Sequence, residues 1–164
     1  MEVGSLPKVD VTIRFVAHPG PFNALVRFAQ YGLWPSHTEV LMPDGRLLGS
    51  RFWGGVKSRA RDYDAGGFER ELYVTIKATE DQAEILYDFL RDQIGKPYDA
   101  LAILAFLNGR DWQAPDSWFC SELVAAGLSE CGLFPKTLAC GFNRITPRDL
   151  LLLVCALASK DHVG

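Results

Sequence analysis

Residues 116–128 read DSWFCSELVAAGL: a polar turn, two aromatics, a cysteine and an apolar run without a break. From Cys120 onward, Leu123, Val124, Gly127 and Leu128 recur at helical spacing, with Ser121, Glu122 and Ser129 elsewhere around the helix. Asp116 and Ser117, both good N-cap types, stand just ahead. The pattern predicts a helix with Cys120 in or near its first turn. There the unpaired backbone N–H groups and the positive end of the helix dipole favour a thiolate over a thiol, which makes a cysteine nucleophilic. The competing reading is a buried cysteine packed as a small hydrophobe. What decides between them is the rest of the chain.

The 164 residues fit one domain spanning 1–164, and 48% of them are apolar, enough for a real core. A net charge of -3 gives no broad attraction to nucleic acid or anionic lipid. Cys120, Cys131, Cys140 and Cys155 show no CxxC spacing and have no histidine near them in sequence, so neither a zinc site nor any other metal is expected. The N-terminus, MEVGSLPKVDVTIRF, lacks a basic region followed by an apolar core, so no secretory signal is expected and a reducing cytoplasm with free thiols is the default. Leu150–Ala158 is too short to span a bilayer, which needs about 20 residues.

Outward from the cysteine, the pattern predicts strands at Val9–Ala17, His37–Met42, Arg46–Phe52 and Glu71–Lys77, with Pro43-Asp44-Gly45 as a hairpin turn. Helices are predicted at Phe22–Tyr31, from Glu80 to about Gln93, at Ala100–Leu107, from Cys120 to Cys131-Gly132, and after Thr146-Pro147. Thr79 and Gln82 have capping-box spacing. The polar stretch Val56–Arg70 reads as an exposed loop, and Leu133–Asn143 as irregular. The fold class is α+β, an antiparallel sheet packed against several helices.

A thiol nucleophile needs a base, and the base needs a polar group to orient it. The chain has three histidines. His162 lies in the terminal tail, and His18 sits in a Pro-Gly turn that reads as surface. His37 opens a strand, with Glu39 its neighbour on the same face. It is the best candidate for the base, against the alternative of a hydrogen-bonded structural histidine.

Three segments come in order: Ser36-His37-Thr38-Glu39-Val40 through Gly54-Gly55-Val56, then Gly95-Lys96-Pro97-Tyr98-Asp99, then Phe119-Cys120-Ser121-Glu122-Leu123-Val124. Together they resemble the histidine hairpin, the G-x-P-Y segment and the C-S-E-L-V nucleophile helix of the circularly permuted papain-like hydrolases. These are the permuted branch of the NlpC-type cell-wall peptidase superfamily, which takes in the lecithin:retinol acyltransferase-like enzymes. Histidine before cysteine is the permuted order. The resemblance implies a papain-like fold, Cys120 as nucleophile, His37 as base, Tyr98 lining the site, and no cofactor. The third polar group commonly lies on the strand returning from the hairpin. Here that count lands near Gly49-Ser50, which leaves Ser50, or Glu39 beside His37, with Glu39 slightly favoured. Trp34, Phe52, Trp53, Trp112 and Trp118 flank these segments, where they could grip a substrate or simply pack the rim; Trp34 and Trp118 are taken as substrate-binding candidates beside Tyr98.

The resulting expectation is a cysteine peptidase or amidase acting on a peptide or acyl substrate, with cell-wall stem peptide implied by the resemblance. An acyltransferase or thioesterase on lipid substrates, and a non-catalytic phage or prophage module that keeps the fold, are the alternatives. A cell-wall substrate combined with no signal segment would require release by phage lysis or carriage in a virion. The sequence specifies no oligomeric state.

Overall fold

A computed structural model describes residues 7–100, 116–136 and 141–160. Its sheet has five strands: β1 (Lys8–Ala17), β2 (His37–Leu41), β3 (Leu47–Arg51), β4 (Gly55–Arg59) and β5 (Arg70–Thr79). Their order is β4-β3-β2-β1-β5, and every neighbouring pair is antiparallel. Among the described residues four α-helices accompany it: α1 (Pro21–Ala29), α2 (Glu80–Asp92), α3 (Cys120–Glu130) and α4 (Pro147–Lys160). The α+β expectation therefore holds. The predicted helix at Ala100–Leu107, together with Trp112, Cys140 and His162, lies almost wholly outside the described residues.

Alternation along the strands divides the sheet into two faces. Val11, Ile13, Phe15, Val40, Leu48 and Ile76 share one face and form a single core with Leu86 and Leu90 of α2, Leu123, Val124 and Leu128 of α3, and Leu150 and Val154 of α4. The other face carries Arg14 paired across the ladder with Glu39, and Val16 paired with His37 and with Glu71.

The polar stretch Val56–Arg70 is not simply an exposed loop. Its start belongs to β4, the sheet edge, where Lys57, Ser58 and Arg59 blunt the open edge with charge and polarity. A segment with only one apolar residue carries no alternation to read. The remaining loop folds back across the polar face of the sheet.

Helix starts follow local chemistry where it is strong. Gln82 N–H donates to Thr79 Oγ1 at 3.2 Å and Thr79 N–H to Gln82 Oε1 at 3.1 Å, a complete capping box. Thr146 caps α4 likewise, accepting from Asp149 N–H at 3.2 Å. The α3 cap differs from expectation. The N-cap is Phe119, not Asp116 or Ser117, and its N–H donates to Glu122 Oε2 at 3.3 Å. Asp116 takes a left-handed φ of 56° in the turn before it.

Candidate active site

Two distant motifs meet by backbone alone. Val56 N–H donates to Lys96 O at 2.9 Å and Gly95 N–H to Val56 O at 3.0 Å. Gly55 makes this approach possible: a Cβ there would stand 2.2 Å from Lys96 O, and φ is 62°. The next residues hold the entry to α3. Trp118 N–H donates to Pro97 O at 3.0 Å, and Asp99 N–H to Trp118 O at 3.1 Å. Ser50 Oγ donates to the same Trp118 carbonyl at 2.6 Å.

This frame sets Cys120 at the first residue of α3, as the sequence predicts. Its environment is the reverse of the expected one. The side chain is fully buried, packed with Val26, Phe119, Phe22 and Tyr98. Burial pushes the thiol up to about 12; the backbone amides of Thr38 and Ser121 pull it down only in part, and the carboxylate of Glu39 adds to the rise. Burial thus favours the thiol over the thiolate. The sulfur abuts the peptide joining His37 to Thr38, and no hydrogen bond joins it to the His37 ring among the described residues.

His37 is also buried and also neutral. Burial lowers its pKa to about 4, with Glu39 opposing the shift and Arg51 and His18 adding to it. Nε2 lies 3.3 Å from Glu39 Oε1, within ion-pair reach but outside hydrogen-bond geometry. Nε2 is thus the ring nitrogen on the Glu39 side. Glu39 is fully buried and held down to about 2: burial opposes this, while His37, Tyr63 and Arg14 more than offset it.

Of the two candidates for the third group, the geometry joins Glu39 to His37. Ser50 is tied to Trp118 O and sits on the helix side of the sheet. Gly49 leaves room for this arrangement. A Cβ there would stand 2.7 Å from Glu39 Cγ, so the Glu39 chain lies across the returning strand where a side chain would otherwise project.

A network beneath Glu39 was not read from the sequence. Arg14, fully buried in β1, donates to Glu39 Oε2 at 3.0 Å, to both oxygens of Asp64 at 3.0 and 2.9 Å, and to Glu71 Oε1 at 2.6 Å. Tyr63 OH donates to Glu39 Oε1 at 2.9 Å and accepts from Arg51 Nη1 at 2.6 Å. His18 is a second correction. It is 5% exposed rather than a surface residue, with Nε2 2.7 Å from Asp64 Oδ2. The usable signal was Arg14 itself: a cation inside an apolar strand needs a buried anion.

His37 opens onto a cavity of about 340 Å³, lined also by Phe22, Phe52, Trp53, Arg51 and Tyr98. Tyr98 thus stands at the site, its pKa raised well above the usual range by burial and then by Cys120. Trp34 and Trp118 do not line this cavity. Arg70 stacks on the Trp34 ring at 4.3 Å, and Trp118 Nε1 donates to Gln93 Oε1 at 3.1 Å.

Among the described residues, Cys120, Cys131 and Cys155 are free thiols, and no group of three or more His, Cys, Asp or Glu side chains is placed to hold a metal ion. No described helix is long and apolar enough to cross a membrane.

No protein-family model matches the chain, and no curated protein matches it in sequence. In structure it is similar to the metalloprotein yiiX from Escherichia coli O157:H7 (DUF1105), with a TM-score of 0.56 and 20% identity over 75% of this chain. The chain spans 66% of that protein's length. At this identity the likeness is one of fold.

Proposed function

We propose that this chain is a cysteine hydrolase of the circularly permuted papain-like type, cleaving an amide bond, with cell-wall stem peptide as the substrate class. The observation that carries the reading is the convergence on β2. Cys120, at the first residue of α3, abuts the peptide that follows His37, while Glu39 stands 3.3 Å behind the His37 ring.

In this reading Cys120 Sγ attacks the substrate carbonyl carbon as its proton passes to His37 Nδ1. The backbone N–H of Cys120 stabilises the oxyanion. The C–N bond breaks as His37 returns the proton to the leaving amine. Water, deprotonated by His37, then hydrolyses the thioester and restores the thiol. Because thiol and imidazole both rest neutral, proton transfer accompanies attack rather than preceding it. Glu39, fixed by Arg14 and Tyr63, stabilises the imidazolium formed on the way.

Full burial of Cys120 favours one rival, a binding module that keeps the fold without turnover. The test is intact-mass spectrometry after incubation with stem peptides and, separately, with a lipid ester. Hydrolysis of peptide with a transient acyl adduct on Cys120 is expected. It is abolished in Cys120→Ala and slowed about 10²- to 10⁴-fold in His37→Ala. An adduct from the lipid ester alone would make the protein an acyltransferase or thioesterase. No adduct from either substrate would leave the binding module.

A further inference from the structure

Three arginines surround the carboxylates of Glu39 and Asp64, and they differ in what their nitrogens do. Arg14 uses Nε, Nη1 and Nη2 on Glu71, Glu39 and Asp64. Arg59 donates from both terminal nitrogens to the carbonyls of Gly49, Lys57 and Gly55. Arg51 donates from Nη1 to Tyr63 OH at 2.6 Å, with Asp64 Oδ2 4.0 Å away. Its Nε and Nη2 have no hydrogen-bond partner among the described residues. Its side chain keeps 27% exposure against 13% for Arg59.

Arg51, Arg59 and His37 all line the cavity, and no carboxylate does. Strands β2 and β3 pair antiparallel, with Val40 opposite Leu48 and Leu41 opposite Leu47, so His37, first in β2, and Arg51, last in β3, stand at the same end of the hairpin. The rings of Phe22, Phe52, Trp53 and Tyr98 supply an apolar wall, with Phe52 stacked between Phe22 at 4.7 Å and Trp53 at 5.0 Å. A guanidinium edge with two free donors matches a planar carboxylate. A mostly apolar pocket with a few placed charged groups, here Arg51 beside an Arg59 already committed to backbone carbonyls, is how small ligands are oriented.

We propose that Arg51 is a specificity residue. Its free edge receives a carboxylate of the substrate about one residue from the scissile carbonyl, and the aromatic wall takes an apolar or aromatic side chain beside it. The substrate class is then an acyl amino acid or short peptide with a free carboxylate next to the cleaved bond. The inference rests on the hydrolase reading for its meaning, but binding can be measured without turnover.

The experiment uses the full chain carrying Cys120→Ala and two matched probes, N-acetylphenylalanine and its uncharged amide, titrated by calorimetry. The carboxylate is expected to bind at least about 10-fold more tightly than the amide. Arg51→Gln abolishes that preference by weakening the carboxylate only, and Arg51→Lys keeps part of it. Tyr63→Phe removes the Arg51–Tyr63 bond without removing the charge, so it retains the preference and separates binding from support of the loop. Equal affinity for both probes, binding of neither, or a preference that survives Arg51→Gln would overturn the proposal. A preserved preference in a protein that hydrolyses nothing would retire the hydrolase reading and leave the carboxylate subsite standing.

Discussion

His37 and His18 are held uncharged by burial, and the cost appears in acid. His37 titrates near 4 in the fold against 6.5 outside it, and His18 is also shifted below 6.5. Between those values the unfolded chain binds more protons than the native one, so stability falls as pH falls. His37 contributes up to about 1.4 kcal/mol per pH unit in that window, and His18 adds a loss of the same sign. Glu39, held near 2 against 4.5, adds a loss of the same sign below pH 4.5. Urea unfolding at pH 7 and pH 5 should show a clear drop in midpoint, and His37→Asn should reduce that drop. An unchanged drop would place the linkage elsewhere. At this scale the start of a helix at Cys120 and the shared strand face of His37 and Glu39 were legible because their spacing is local. Where Ser50, Trp34 and Trp118 point was not, because one register step or one ring rotation decides where such a side chain goes. The environment expected of Cys120 differs for another reason: the helix does begin at Cys120, but the side chains packed around it include Phe22 and Tyr98, far away in sequence.

Helix α3 is the element whose surroundings the sequence understated. An apolar stripe with Ser121, Glu122 and Ser129 off it suggests a helix with one wet side. In the fold every residue from Cys120 to Ser129 is buried. The polar side chains are absorbed by backbone: Ser121 Oγ donates to Ile145 O at 2.5 Å and Ser129 Oγ to Pro135 O at 3.3 Å. Gly127 is where α2 closes on α3. A Cβ there would meet Leu86 Cδ1 at 2.7 Å and Phe89 Cδ1 at 3.2 Å. Gly127→Val should therefore destabilise by about 1–3 kcal/mol through overpacking, read as a lowered urea midpoint with an unchanged slope. Strand β4 was missed because an edge strand needs no apolar alternation, whereas the hairpin of β2 and β3 carries its own turn signal.

The polar face of the sheet is assembled from the whole chain. Arg14 comes from β1, Glu39 from β2, Glu71 from β5 and Asp64 from the loop that bridges β4 and β5. No window of sequence contains this set, which is why the strands and helices could be read but their covering layer could not. Asp64 is its keystone, holding Arg14 through two bonds and His18 through a third. Asp64→Asn leaves Arg14 with one buried anion fewer and should cost about 3–5 kcal/mol, the usual loss on breaking a buried ion pair from one side. A loss below about 1 kcal/mol would show the loop to be a loose cover. The seal over Cys120 also bears on survival. Peroxide attacks thiolates that solvent can reach. A sulfur kept protonated behind Phe22 and Tyr98 meets neither condition, while Cys155 lies partly exposed on α4. Of these two thiols an oxidant would reach Cys155 first, so Cys120 would outlast it in surroundings with no reductant to repair it.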